Sequence, residues 1–209
     1  MQIAIIGSGN IGGGLARAWR RANHAVTFGA RDPADKELAT LCDQIGAKAS
    51  SIAESVKGAE VVVLAMPYAA LDSVLAATGD LAGVTVIDAT NAVKRGPDGM
   101  TLEHGHTTSS GEQVQARLPK AHVVRSFNAQ GAENLANPSY GGVAASNFYC
   151  GDNADAKRQV GQLVADVGFE PIDAGPLASA RLLEPLMLLW MTCSRTVGTR
   201  DIAFKLLRR

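Results

Sequence analysis

The chain opens MQIAIIGSGNIGGGLARAWR, residues 1–20. A four-residue apolar run, 3–6, meets GSGNIGGG, in which five of the eight residues 7–14 are glycine, and apolar side chains then recur at helical spacing through Leu15, Ala18 and Trp19. A short, continuously apolar strand of this kind is buried on both faces of a parallel sheet. Gly7-Ser8-Gly9-Asn10-Ile11-Gly12 fits G-x-G-x-x-G in the strand–turn–helix context that gives the pattern meaning. Gly7 permits a tight turn out of the strand, Gly9 lets a pyrophosphate approach bare backbone, and Gly12 lets the helix lie close to the sheet. The helix N-terminus then offers free N–H groups and a partial positive charge to the phosphates. A ligand-free turn explains poorly why a helix should begin on glycines, each costing about 1 kcal/mol relative to alanine.

Working outward, strand and helix patterns alternate. Strands are expected at 3–6, 25–28, 47–49, 61–64, 84–87 and around 123–124, and helices at 11–21, 35–45, 51–56, 69–77 and 112–118, with Pro33 at a helix start and Ser50 or Ser51 as a cap. Residues 91–111, with Gly96, Pro97, Gly99 and Gly105, have loop composition. Strands separated by helices imply right-handed crossovers and a parallel sheet. The expected architecture is α/β, a doubly wound Rossmann fold over residues 1–127, with a small C-terminal α/β extension over 128–209 for the substrate pocket and dimer contacts. The extension reads as strands at 148–150 and 170–172, a helix at 154–167 and a long helix at 176–195, apolar nearly all round and so buried here or against a second subunit.

The second strand ends Phe28-Gly29-Ala30-Arg31-Asp32-Pro33. An NAD site wants an acid about 20 residues after the glycines, on the ribose 2′-hydroxyl. Here Gly29 or Ala30 holds that place and Arg31 follows, which suits the 2′-phosphate of NADP(H), with Lys36 as a further cation. Met66 and Pro67 close the strongest strand and are expected to line the cofactor, because ligands in this fold sit beyond the carboxyl ends of strands. Asn91, Asn128 and Ala129 follow the fifth and sixth strands, and the two asparagines are placed to hydrogen-bond a carboxamide or a second substrate. Gly13 and Gly14 are expected to thin the first helical turn for a flat ring above it.

Equal counts of Lys+Arg and Asp+Glu, 20 each, give no global pull toward nucleic acid or an anionic membrane. Cys42, Cys150 and Cys193 are dispersed and suggest neither disulfides nor zinc but a reducing cytoplasm. The N-terminus does not read as a signal peptide, and the greasiest run, 182–191, falls short of the ~18 apolar residues of a membrane span. His104-Gly105-His106 lacks a matching ligand cluster for a metal, His24 and His122 read as structural, and Arg181 and Glu184, three apart, read as a local ion pair. No catalytic side chain stands out. Hydride transfer between stacked rings needs chiefly proximity.

The chain resembles the NADPH-dependent F420 reductases, also called F420H2:NADP oxidoreductases, through GSGNIGGGLARAW, FGARDP, VVVLAMPYAAL, VIDATNAV, VVRSFNAQGAENLANP and the long segment from YCGDNADAK to EPLMLLW. The resemblance implies a homodimer that moves hydride between nicotinamide C4 and C5 of the deazaflavin coenzyme F420, with no covalent intermediate. It implies pyrophosphate contacts at Ser8, Gly9, Asn10 and Ile11, a cofactor contact at Pro67, and a 2′-phosphate site at Ala30-Arg31, where the family's serine has become alanine. The chain is also similar to the cytosolic domain of six-transmembrane metalloreductases, which pass electrons from NADPH to a flavin. The alternatives are therefore a reductase of a flavin or another small acceptor, or a non-catalytic NADPH-binding protein.

Overall fold

A computed structural model describes residues 1–209 apart from Asp98 and Gly105. The elements run β1 (Gln2–Ile6), α1 (Asn10–Arg21), β2 (Ala25–Ala30), α2 (Lys36–Ile45), β3 (Lys48–Ser51), α3 (Ile52–Ser55), β4 (Val61–Leu64), α4 (Leu71–Thr78), β5 (Thr85–Asp88), β6 (Val93–Gly96), β7 (Gly99–Leu102), α5 (Ser110–Arg117), β8 (His122–Arg125), β9 (Ser139–Tyr140), β10 (Val143–Ala144), β11 (Ser146–Gly151), α6 (Ala154–Val167), β12 (Glu170–Asp173) and α7 (Ala180–Val197). Eight strands form one sheet in the order β12-β11-β8-β5-β4-β1-β2-β3. The six strands from β3 to β8 are all parallel, and the order reverses between β1 and β4. This is the doubly wound Rossmann arrangement, with its switch point beside the glycine loop.

The strands are apolar throughout because both faces are covered. Ile3 and Ile5 of β1, with Val61 and Val63 of β4, pack with Leu15 and Trp19 of α1 and Leu163 of α6. Their alternating neighbours Ala4, Ile6, Val62 and Leu64 pack with Val74 of α4 and Val114 of α5. Trp19 ties the first layer across the chain: its indole N–H donates to the Leu163 carbonyl at 2.9 Å, and its ring meets Phe127 edge-on at 5.8 Å between centroids.

Residues 128–209 carry a two-stranded β9–β10 ribbon of their own and otherwise extend the main sheet. β11 pairs antiparallel with β8 and β12 parallel with β11, so the sheet runs on past residue 127. The chain's end is strapped to it: Ser146 N–H donates to the Phe204 carbonyl at 2.9 Å and the Trp190 indole to the Ile202 carbonyl at 2.9 Å.

Several local expectations are corrected. The 91–111 segment is not all loop, because β6 and β7 pair antiparallel within it; Gly105 lies outside the described residues. Pro33 does not begin α2: Asp32 accepts from Ala34 N–H in a turn, and Asp35 caps the helix through Leu38 N–H at 2.9 Å. The last helix begins at Ala180, after a 3-10 turn over Leu177–Ser179. Gly13 and Gly14 do not open space for a ring. A Cβ on Gly14 would meet Leu135 Cδ1 at 2.8 Å, and one on Gly13 would face Ser8 O at 3.3 Å and Leu41 of α2 at 3.5 Å, so both serve packing.

Gly12 is the tightest contact, since a Cβ there would lie 1.9 Å from the Gly7 carbonyl oxygen. Gly12→Ala is expected to lower stability by about 3 kcal/mol through overpacking, whereas Gly13→Ala, at ordinary helix geometry, should change it by less than ~1 kcal/mol. Urea midpoints of the two variants check this; equal losses would contradict it.

Candidate functional site: the glycine loop and the strand ends beside it

The loop leaving β1 is shaped by backbone alone. Gly7 takes φ +112°, where a side chain is strained, and a Cβ on it would meet the Ala65 carbonyl at 2.4 Å, so the exits of β1 and β4 touch. Gly9 differs: a Cβ there meets nothing within 4 Å, which leaves its face open to a ligand. α1 has no side-chain cap and no acid in its first turn. By contrast α2, α3, α5 and α6 are capped by Asp35, Ser51, Ser109 and Asn153, and each carries an acid in its first turn. The N–H groups and positive end of α1, like those of α7, thus lack a capping or acidic side chain and can receive an anion.

A cavity of about 800 Å³ lies over this loop, lined by Gly7, Ser8, Gly9, Ala30, Arg31, Met66 and Pro67 among others. Seven of the residues expected from sequence thus meet around one space. Asn10, Ile11 and Gly12 stand in the first turn of α1: Asn10 is exposed, Ile11 leans on the core, and Gly12 is buried. Lys36 is set apart, on a groove between α1 and α2 with Arg17 and Gln44.

The walls carry the side chains that a dinucleotide would meet. A Cβ on Gly29 would meet Ser55 Oγ at 2.4 Å and Ile6 Cδ1 at 2.5 Å, so a side chain there would first have to displace both. Arg31 is exposed, and no ion pair among the described residues engages it. The carboxylate three places before the cap, Asp32, accepts from Ala34 N–H in its own turn. Open backbone, an uncapped helix end and a free guanidinium fit a phosphorylated dinucleotide.

The ends of β5 and β8 are built on charge that sequence reading missed. Arg125, at 0% exposure, places a guanidinium inside the fold. Its Nη1 donates to Asp88 Oδ2 at 2.7 Å, and its Nη2 donates to Asn91 Oδ1 at 3.2 Å and lies 3.9 Å from Glu184 Oε1. Ser110 donates to Glu184 Oε1 from both N–H and hydroxyl at 2.6 Å, and Thr90 donates twice to Asp88 Oδ1. Arg125 Nε has no partner. An arginine ending a strand otherwise as apolar as Val123-Val124 is the signal, because a buried cation demands carboxylates.

The network draws Asn91 and α7 to the strand ends. Asn91 is half-buried, with its amide oxygen on Arg125 and its Nδ2 3.4 Å from the Asn128 carbonyl. Asn128 is buried and gives its amide to the Leu183 carbonyl at 2.8 Å, so its side chain holds α7. Phe127, before it, takes φ +58°, an uncommon conformation for an aromatic residue, and Ala129 after it is half-exposed. Arg181 and Glu184 are not a pair: Arg181 grips Glu112 of α5 in a bidentate contact at 2.9 and 2.5 Å, while Glu184 turns inward. That guanidinium holds the Glu112 carboxyl below the usual range. Burial pushes the Cys150 thiol up to about 12, so it offers no thiolate at neutral pH. Among the described residues, no group of three His, Cys, Asp or Glu could hold a metal ion.

The family described as "NADP oxidoreductase coenzyme F420-dependent" matches residues 2–92. The crystal structure of a candidate F420-dependent NADP reductase from Arthrobacter sp. FB24 superposes with a TM-score of 0.90, at 32% identity over 100% of both chains. The chain belongs to this family of F420-dependent NADP oxidoreductases. A hypothetical protein from Sinorhizobium meliloti shares the fold at a TM-score of 0.78, with 31% identity over 100% of this chain and 96% of that one. The metalloreductase STEAP3 of Rattus norvegicus is 31% identical over 191 residues, 90% of this chain but 37% of its own length. The chain thus spans little more than a third of that relative. Family membership makes it an NADP-dependent oxidoreductase of Rossmann fold. No helix among the described residues is long and apolar enough to cross a membrane.

Removing one partner of a buried ion pair strands the other, at about 3–5 kcal/mol. Arg125→Met is expected to lose that much, leaving Asp88 and Glu184 facing each other unpaired. Chemical denaturation measures it, and a loss under ~1 kcal/mol would mean the network does not hold in solution.

Proposed function

We propose that the protein transfers a hydride between NADP(H) and the deazaflavin coenzyme F420. The observation that carries the cofactor half is the cavity itself, where the bare glycine loop and the unpaired Arg31 line one space with Met66 and Pro67. Ser8, Gly9, Asn10 and Ile11 would take the pyrophosphate, Arg31 with Ala30 the 2′-phosphate, and Lys36 would act only through longer-range charge. NADP(H), when bound, supplies or accepts the hydride. The chain's part is to orient the ring end beside Pro67 and Asn91 and keep the acceptor against it. The acceptor half rests on the family and on the likeness to the Arthrobacter protein.

Mixing the purified protein with NADPH and F420 should bleach the deazaflavin absorbance band; no change would remove F420 as the partner. The 31% identity to a metalloreductase favours one second reading, NADPH-driven reduction of a flavin or another small acceptor, which turnover of FMN or FAD without F420 would select.

Arg31→Ala should weaken NADPH binding roughly 10- to 100-fold, the loss of one charge-assisted contact of about 1.5–3 kcal/mol, with NADH binding unchanged. Paired titrations check this, and equal weakening would move the 2′-phosphate site elsewhere.

We also propose a cytoplasmic homodimer that works on small molecules, with neither nucleic acid nor a membrane as partner. Leu182, Leu189 and Val197 on one stripe of α7 are 68%, 51% and 64% exposed, and a stripe so apolar on an 18-residue helix suits a second copy of the chain. Light scattering of Leu189→Arg should report a monomer where the unmodified protein reports a dimer.

A further inference from the structure

Reduction of a deazaflavin, a flavin or an imine needs one proton along with the hydride, and none of the residues assigned above supplies it. We infer that Tyr68 and His104 together form the proton donor for the acceptor, a role that rests on the hydride-transfer reading.

The pair stands on the segments that leave β4 and β7. Tyr68 follows Pro67, which lines the cofactor cavity at the end of β4. His104 follows Glu103, whose N–H donates to the Ala92 carbonyl at 2.8 Å and so fixes this end of the β6–β7 hairpin next to Asn91. The Tyr68 hydroxyl and His104 Nε2 lie 2.8 Å apart, and the rings meet edge to face at 5.4 Å. Both residues are half-buried. The charged groups acting on the phenol are Arg117 of α5, Asp88 at the end of β5, Glu103 and Glu184 of α7. Partial burial, the largest influence, raises the phenol above its ordinary value, and the three carboxylates outnumber Arg117, so it holds its proton at neutral pH.

The balance closes without another reagent. The cofactor provides the hydride and its electron pair. The Tyr68 O–H bond breaks as an N–H or O–H bond forms on the acceptor, and His104 relays a proton from water, taken up at Nδ1 as one leaves Nε2, to the phenolate oxygen. In the reverse direction the same groups take the proton away.

Tyr68→Phe keeps the ring and removes only the transferable proton. With F420, or whichever of F420, FMN and a cyclic imine the unmodified protein reduces, its kcat near pH 7 should fall about 100-fold, the lower end of general-acid contributions, while NADPH affinity stays within about twofold. The unmodified protein should lose rate as pH rises through the raised value of the Tyr68 phenol; the variant should be slow and flat. In cofactor-free protein, the His104 Nε2 resonance should move in Tyr68→Phe. A variant with normal kcat and pH profile, or an unmoved His104 resonance, overturns the inference and leaves the hydride-transfer reading standing. Failure of the unmodified protein to reduce any of the three acceptors overturns that reading first and the donor role with it.

Discussion

The structure depends on how closely one helix can lie against one strand end. With 1.9 Å between a would-be Cβ of Gly12 and the Gly7 oxygen, and 2.4 Å between a would-be Cβ of Gly7 and the Ala65 oxygen, the exits of β1 and β4 and the first turn of α1 share a volume that admits no side chain. The floor of the site is therefore peptide. Peptide N–H groups can hold a pyrophosphate but cannot tell one dinucleotide from another, so discrimination passes to the walls. There Gly29 contributes no side chain, and Arg31, which no described ion pair engages, lines the cavity with a guanidinium suited to a phosphate.

The opposite side of the switch point is organised by charge. Asp88, Arg125, Ser110 and Glu184 come from β5, β8, α5 and α7, and each is buried. Their bonds set the spacing of four elements at the strand ends and carry Asn91 with them. Apolar side chains in the same places would pack as well, but they would leave Asn91 without the Arg125 donor that fixes its amide.

The sequence is most legible where periodicity is purest. β4 and α6 fall on the expected residues, because a strand buried on both faces and a fourteen-residue amphipathic helix have patterns nothing else imitates. β6 and β7 were hidden, since four-residue strands rich in Lys94, Arg95 and glycine show neither alternation nor a sustained apolar run. At the site, the glycine spacing located the loop under the cavity and, with the end of the second strand, the Arg31 that lines it. It could not separate a glycine left bare for a ligand, such as Gly9, from one left bare for Leu135, such as Gly14, because that depends on what the fold brings opposite. Arg181 and Glu184 show the same limit: three-residue spacing permits a pair, but partners 69 and 74 residues away claim both side chains.

Those separations have a consequence for the order in which the protein acquires its parts. Every residue lining the glycine-loop cavity lies between Ile6 and Ala77, so that lining is drawn from one continuous stretch of chain. The charged frame across the switch point spans Asp88 to Glu184, and its Ser110–Glu184 bonds close a 74-residue interval. Long closures form late, so the charged frame is set after the short-range contacts of Gly7 and Gly12 around the glycine loop.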